Sequence, residues 1–137
     1  MSDESLPPAE HWVPYRISQI IDCVCGHFRV TRAQIFGQDR HKTIAMARQI
    51  AMRLARDEGY SLHELGRAFV RDHSTCLSAC QAVARRVARD DHPAFAREWS
   101  ACVLKWNQRL AQIEPLLAEA GPPVARVRVE DVRERVA

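Results

Sequence analysis

Glycine is scarce in this chain, five in 137 residues, and none of them builds a GxxxxGK[ST] loop. A P-loop cradle for nucleotide phosphates is thereby excluded. No apolar run approaches membrane-spanning length. The N-terminus, Met1-Ser2-Asp3-Glu4-Ser5, lacks the basic flank and apolar core of a secretory signal. A cytoplasmic location with no membrane partner is the expectation. Zinc-type pairs are missing too: Cys23 and Cys25 have one residue between them, and Cys76 and Cys80 lie a helical turn apart, near His27 and His73. Neither spacing matches the CxxC or HxxxH pairs that hold zinc. The five cysteines, an odd number, sit mostly in helix-like patterns and read as small hydrophobes of a reducing compartment. No metal and no cofactor is expected. No nucleophile, base and orienting group form a recognisable set, which argues against an enzyme.

What is present is apolar material, 47% of residues, ample for the core of one domain. Net charge is only +3, but its distribution is uneven. Arg29, Arg32, Arg40, Lys42, Arg48, Arg53 and Arg56 follow one another with Asp39 as the single carboxylate among them. A basic surface of this kind would face a polyanion. Arg40, Lys42 and Arg48 are the phosphate candidates, and Arg53 and Arg56 are expected to decorate a helix.

The apolar periodicity is helical throughout. Residues 1–14 are polar and proline-bearing and read as a flexible tail, with Trp12 and Tyr15 placed to pin its end. Ile17, Ile20, Ile21, Val24 and Phe28 mark a first helix. A short second helix is capped by Thr31 and stopped by Gly37. A third, from Thr43 to Asp57, carries Ile44, Ala47, Ile50, Ala51 and Leu54 on one side and ends at Gly59. Ser61 and Glu64 form a capping box for a short fourth helix through Leu65 and Phe69. Asp72 caps a fifth, patterned by Leu77, Cys80, Val83, Ala84 and Val87. A sixth, from about Pro93 to Ala120, bears Trp99, Val103, Trp106, Leu110, Ile113 and Leu117, with a kink or break predicted near Glu114 because of Pro115. That stripe reads either as a packing face or as a docking or dimer surface. Val124 to Ala137 alternates Val with charged residues and is compatible with a strand, a weak helix or no fixed structure.

The fourth and fifth helices, joined by a few residues, have the geometry of a helix-turn-helix, whose second helix reads DNA. Its head is Arg71-Asp72-His73-Ser74-Thr75. A helix N-terminus with short polar side chains holds phosphate and reaches base edges.

That string resembles the Arg-Asp-His-Thr-Thr signature of the DNA-binding C-terminal domain, domain IV, of the bacterial replication initiator DnaA. The resemblance extends from about Ile17 to Val87. Ile44 to Met52, with Ala47-Arg48-Gln49, is similar to the family's basic-loop-to-helix segment. Ser61-Leu62-His63-Glu64-Leu65-Gly66 is similar to its Ser-Leu-Pro-Glu-Ile-Gly. The resemblance implies an all-α helical bundle with a helix-turn-helix of the DnaA domain IV or Trp-repressor-like kind, here with an added C-terminal helix. It places Asp72, His73, Ser74 and Thr75 in the major groove, with Leu62, His63 and Arg71 in the same DNA-facing set. Arg48 is implied as a phosphate ligand with Gln49 beside it, and Lys42 falls where an arginine usually enters the minor groove.

Departures from the family pattern are specific. Lys42 offers a point charge in place of a guanidinium fork, which weakens minor-groove readout. Val70 replaces a glycine before Arg71, which would alter the turn. Gln81 and Ala82 replace basic residues, His63 a frequent proline, and Ser74 a threonine. The function implied is binding of double-stranded DNA at DnaA-box-like sites to regulate replication or transcription, in a bacterium or phage. The alternative is a protein-interaction regulator of DnaA or of its regulatory partners. The expected organisation is a tail over 1–14, the DNA-binding domain over 15–90, a C-terminal helix over 91–121 and a tail over 122–137.

Overall fold

A computed structural model describes residues 12–89 and 93–120. The expectations for residues 1–11 and 121–137, the two tails apart from 12–14, lie outside the described residues. Six helices follow in order: α1 (Tyr15–Phe28), α2 (Arg32–Phe36), α3 (Lys42–Asp57), α4 (Leu62–Phe69), α5 (His73–Ala88) and α6 (Pro93–Ala120). Among the described residues there is no strand, and the chain is all-α with a helix-turn-helix at α4 and α5.

Local signals set most of the boundaries. At α2, Thr31 accepts from the Gln34 N–H while the Gln34 side chain accepts from the Thr31 N–H, a reciprocal capping box. Ser61 and Glu64 repeat the motif at α4. The first residue of α3 is Lys42, because His41 caps it: its Nδ1 accepts from the Thr43 N–H at 3.2 Å. Gly59, at φ 108°, reverses the chain after α3 where a side chain would be strained.

Helix α3 packs against each of the other five helices. Its position explains why the burial extends past the single predicted stripe: Met52 and Ala55 are buried together with Ile44, Ala47, Ile50, Ala51 and Leu54. Around it close Ile17, Ile20, Ile21 and Val24 of α1, Leu65 and Phe69 of α4, and Cys76, Cys80 and Val83 of α5. The same core contains Phe95, Cys102, Trp106 and Ile113 of α6. Trp106 is buried, and its indole N–H donates to Glu58 Oε2 at 3.0 Å, while Glu58 Oε1 accepts from Arg16 at 2.9 Å. One carboxylate thus ties α6 and α1 to the end of α3. The stripe on α6 is a packing face, with Trp99 half-buried on it, and the Leu117 side chain lies outside the described residues.

Four expectations are corrected. Of the kink or break expected near Glu114, the break does not occur: α6 continues through Pro115 to Ala120. Proline there removes one backbone bond, to the Ala111 carbonyl, and Ala111 is exposed so water can take that acceptor. Tyr15 is 48% exposed at the start of α1 and lies outside the core, whereas Trp12 packs on the core under the Arg67 guanidinium, 4.7 Å from its ring centre. Leu77, patterned as core, is 39% exposed, and Ala84 is also exposed. Arg53 and Arg56 are more than decoration: Arg53 pairs with Asp57 at 3.1 Å, and Arg56 donates to the Tyr60 carbonyl at 2.9 Å.

Candidate nucleic-acid interface

The turn between α4 and α5 is built around two backbone constraints. At Gly66 a Cβ would stand 2.5 Å from the Arg71 carbonyl oxygen, so the chain can pass this close only over a glycine. The Gly66 carbonyl accepts the Arg71 N–H at 2.9 Å. At Val70 the backbone is left-handed, φ 59° and ψ 50°, in the position where the family pattern has glycine. The turn therefore keeps its glycine-type geometry, contrary to the expected alteration, and the β-branched valine bears the strain.

Asp72 then opens α5. Its Oδ2 accepts from the Ser74 N–H at 3.2 Å and from the Ser74 hydroxyl. These donations, the hydroxyl first, hold the Asp72 carboxyl below the usual aspartate value. Asp72, His73, Ser74 and Thr75 are all exposed, as is His63 on the second residue of α4. The His63 and His73 rings lie 4.4 Å apart between centres with their planes 31° from parallel. Helix spacing carries the same exposed face along α5 through Leu77, Ser78, Gln81 and Arg85. Sequence reasoning left these four out of the site. The signal was the three- and four-residue spacing from Ser74, masked at Leu77 by its apolar character.

Arg48 and Arg71 have work inside the protein. Arg48 Nε donates to the Ile35 carbonyl at 2.7 Å, and its Nη2 donates to the carbonyls of Gln34 at 2.8 Å, Asp39 at 3.1 Å and Gly37 at 3.3 Å. Arg71 Nη1 donates to Phe36, Phe69 and Val70, each at 3.2 Å, and its Nη2 to Gly37. Burial lowers both guanidinium pKa values, and for Arg48 the neighbouring Arg71 charge lowers it further. The sequence placed Arg48 on a phosphate; in the free protein it and Arg71 are positioning residues that fasten the α2–α3 loop to the helix-turn-helix. That loop carries Arg40 and His41, and Lys42 follows them as the first residue of α3, all three exposed. Gln49 is half-buried on α3, and Leu62 is half-buried against the core at the start of α4. The exposed cations and the exposed start of α5 are thus held to one scaffold by two half-buried guanidinium groups.

The thiols have no place in this interface. Cys76 and Cys80 lie on the inner side of α5, where burial pushes each up to about 11, and Cys102 reaches about 12. They remain protonated at neutral pH. Among the described residues, no three His, Cys, Asp or Glu side chains converge in a metal-holding group. Nor is any described helix long and apolar enough to cross a membrane.

The family model for the bacterial dnaA protein helix-turn-helix matches residues 17–83. This segment belongs to the bacterial DnaA helix-turn-helix family. The chromosomal replication initiator protein DnaA of Thermomicrobium roseum is 42% identical over 74 residues, 53% of this chain and 16% of that protein. The first of the DnaA proteins of Protochlamydia amoebophila is 40% identical over 76 residues, 55% of this chain and 17% of its own length. DnaA of Lachnoclostridium phytofermentans is 36% identical over 90 residues, 64% and 19% respectively. The chain therefore spans less than a fifth of these DnaA proteins. The matched part contains α4, the turn and most of α5, so the family match falls on the helix-turn-helix itself.

Proposed function

We propose that this DnaA-type domain binds double-stranded DNA sequence-specifically at DnaA-box-like sites and thereby regulates replication initiation or transcription, without catalytic activity of its own. The observation that carries the reading is the first turn of α5. His73, Ser74 and Thr75 are exposed there side by side, on the second helix of a helix-turn-helix. The α5 N-terminus enters the major groove, His73 and Thr75 contact base edges, and Leu77 supplies an apolar contact suited to a thymine methyl. Arg40 in the α2–α3 loop and Lys42 at the start of α3 approach phosphate or the minor groove. Arg85, one turn beyond Gln81, offers the phosphate contact that Gln81 and Ala82 do not.

The test is a fluorescence anisotropy titration of a DnaA-box duplex and a scrambled duplex at near-physiological salt. Selective binding of the box supports the reading, and equal affinity for both removes sequence specificity from it. A second reading, a regulator that binds DnaA or one of its regulatory partners, draws on Leu104 and Leu116, 58% and 54% exposed on α6. Failure to bind either duplex favours that reading over the first.

A further inference from the structure

His63 and His73 come from different helices, yet their rings meet outside the core, on the face that carries Ser74 and Thr75. The packing of α4 on α5 does not require this contact, because both side chains are exposed and Leu65, Phe69 and Cys76 close the interface beneath them. Of the charged groups nearby, Asp72 interacts electrostatically with both rings, but the hydrogen bonds of these groups go elsewhere. Asp72 is turned to Ser74, Glu64 to the Ser61 N–H at 2.8 Å, and Arg71 to the loop carbonyls. Two imidazole edges are left available to a ligand.

The spacing is informative. Successive bases of one DNA strand rise by about 3.4 Å. Two rings 4.4 Å apart and 31° from parallel therefore follow two stacked bases better than the two partners of one base pair. An imidazole offers at least one N–H whether neutral or protonated. In the major groove adenine and guanine both present N7 as an acceptor, and neither pyrimidine does. We propose that His63 and His73 act as one two-ring unit that reads two adjacent purines through their N7 atoms. The inference rests on the major-groove reading above. It adds a substrate feature, a purine–purine step, and a coupling: each ring limits the orientation of the other, so loss of either weakens both contacts.

The experiment places 7-deazapurines, which exchange N7 for C–H, singly and in adjacent pairs along the DnaA-box duplex. The wild type, His63→Ala, His73→Ala and the double variant are titrated against each duplex by anisotropy. Thermal melts of the variants serve as a fold control, since both side chains are exposed. For the wild type, deaza substitution is expected to cost about fivefold at each of two neighbouring purines, the effect of one lost hydrogen bond. His63→Ala should become insensitive at one of the two and less sensitive at the other. The double variant should lose less than the product of the two single losses. Sensitive purines that are not adjacent, or single losses that simply multiply, would overturn the paired reading while leaving box selectivity intact. A wild type that does not distinguish the box from the scrambled duplex overturns the major-groove reading itself, and the pair with it.

Discussion

Arg48 and Arg71 converge on a single acceptor: Nη2 of each donates to the carbonyl oxygen of Gly37. Two like charges are tolerated at this distance because seven main-chain carbonyls in all surround them, Gln34 to Gly37, Asp39, Phe69 and Val70. Arg48→Ala leaves several of these acceptors without their donor. It is expected to lower stability by about 2 kcal/mol, read as a lower urea midpoint with unchanged slope. Arg48→Lys should recover little of the loss, since an ammonium cannot span four carbonyls. An unchanged midpoint for Arg48→Ala would show that the clamp contributes nothing.

Val70→Gly is expected to stabilise the domain by about 1 kcal/mol. Valine at φ 59° bears steric strain, and with 46% of its surface exposed it loses little packing when removed. Gly66→Ala should act in the opposite direction and more strongly, because its Cβ meets backbone, which cannot rotate aside. Thermal melts of the two variants moving the same way would contradict the account of the turn.

Base contacts and phosphate contacts separate by salt. His73→Ala or Thr75→Ala should narrow the difference between box and scrambled duplexes. Lys42→Ala should weaken both duplexes alike and reduce the slope of log K against log salt by about 0.9, one phosphate. Titrations at several salt concentrations decide it: equal losses on both duplexes for all three variants would refute this division of labour.

Asp72 makes stability depend on acid. Its carboxyl is held below the ordinary value by the Ser74 hydroxyl and amide, so the folded state favours the ionised form. The resulting stabilisation is present above the unfolded aspartate value of about 3.9 and is lost as pH falls through the lower folded value. Asp72→Asn keeps a capping acceptor but cannot titrate. The gap between wild type and Asp72→Asn in melts from pH 6 to pH 2.5 should therefore shrink toward the acid end. A gap that is constant with pH would exclude the linkage.

Trp106→Phe isolates the indole N–H. It retains most of the apolar burial and is expected to cost about 1 to 2 kcal/mol through the lost donation to Glu58. Trp106→Ala should cost about 3 to 5 kcal/mol by opening a cavity. Were α6 merely lying on a finished domain, neither change would alter the melting temperature.

Much of this was legible in the chain because its signals are local. Thr31, Ser61 with Glu64, and Asp72 each announce a helix start from within a few residues, and all three caps form. What escaped was set by distant partners. The inner role of Arg48 depends on carbonyls of another helix and its loop, which composition cannot reveal. Leu77 has the character of a core residue, and only the packing of α5 against α3 and α4 turns it outward. The contact between His63 and His73 needs the turn geometry before it can be seen at all.

The burial of Phe95, Cys102, Trp106 and Ile113 has a consequence for how the domain can be moved or inherited. The family match ends at residue 83, but the packed core does not. Excision at the edge of homology would strip the wall that α6 builds over α1 and α5 and expose an apolar face. In this protein the helix-turn-helix and its C-terminal helix share one core, so changes in α6 will be felt at α5 without any change to the exposed residues of its first turn.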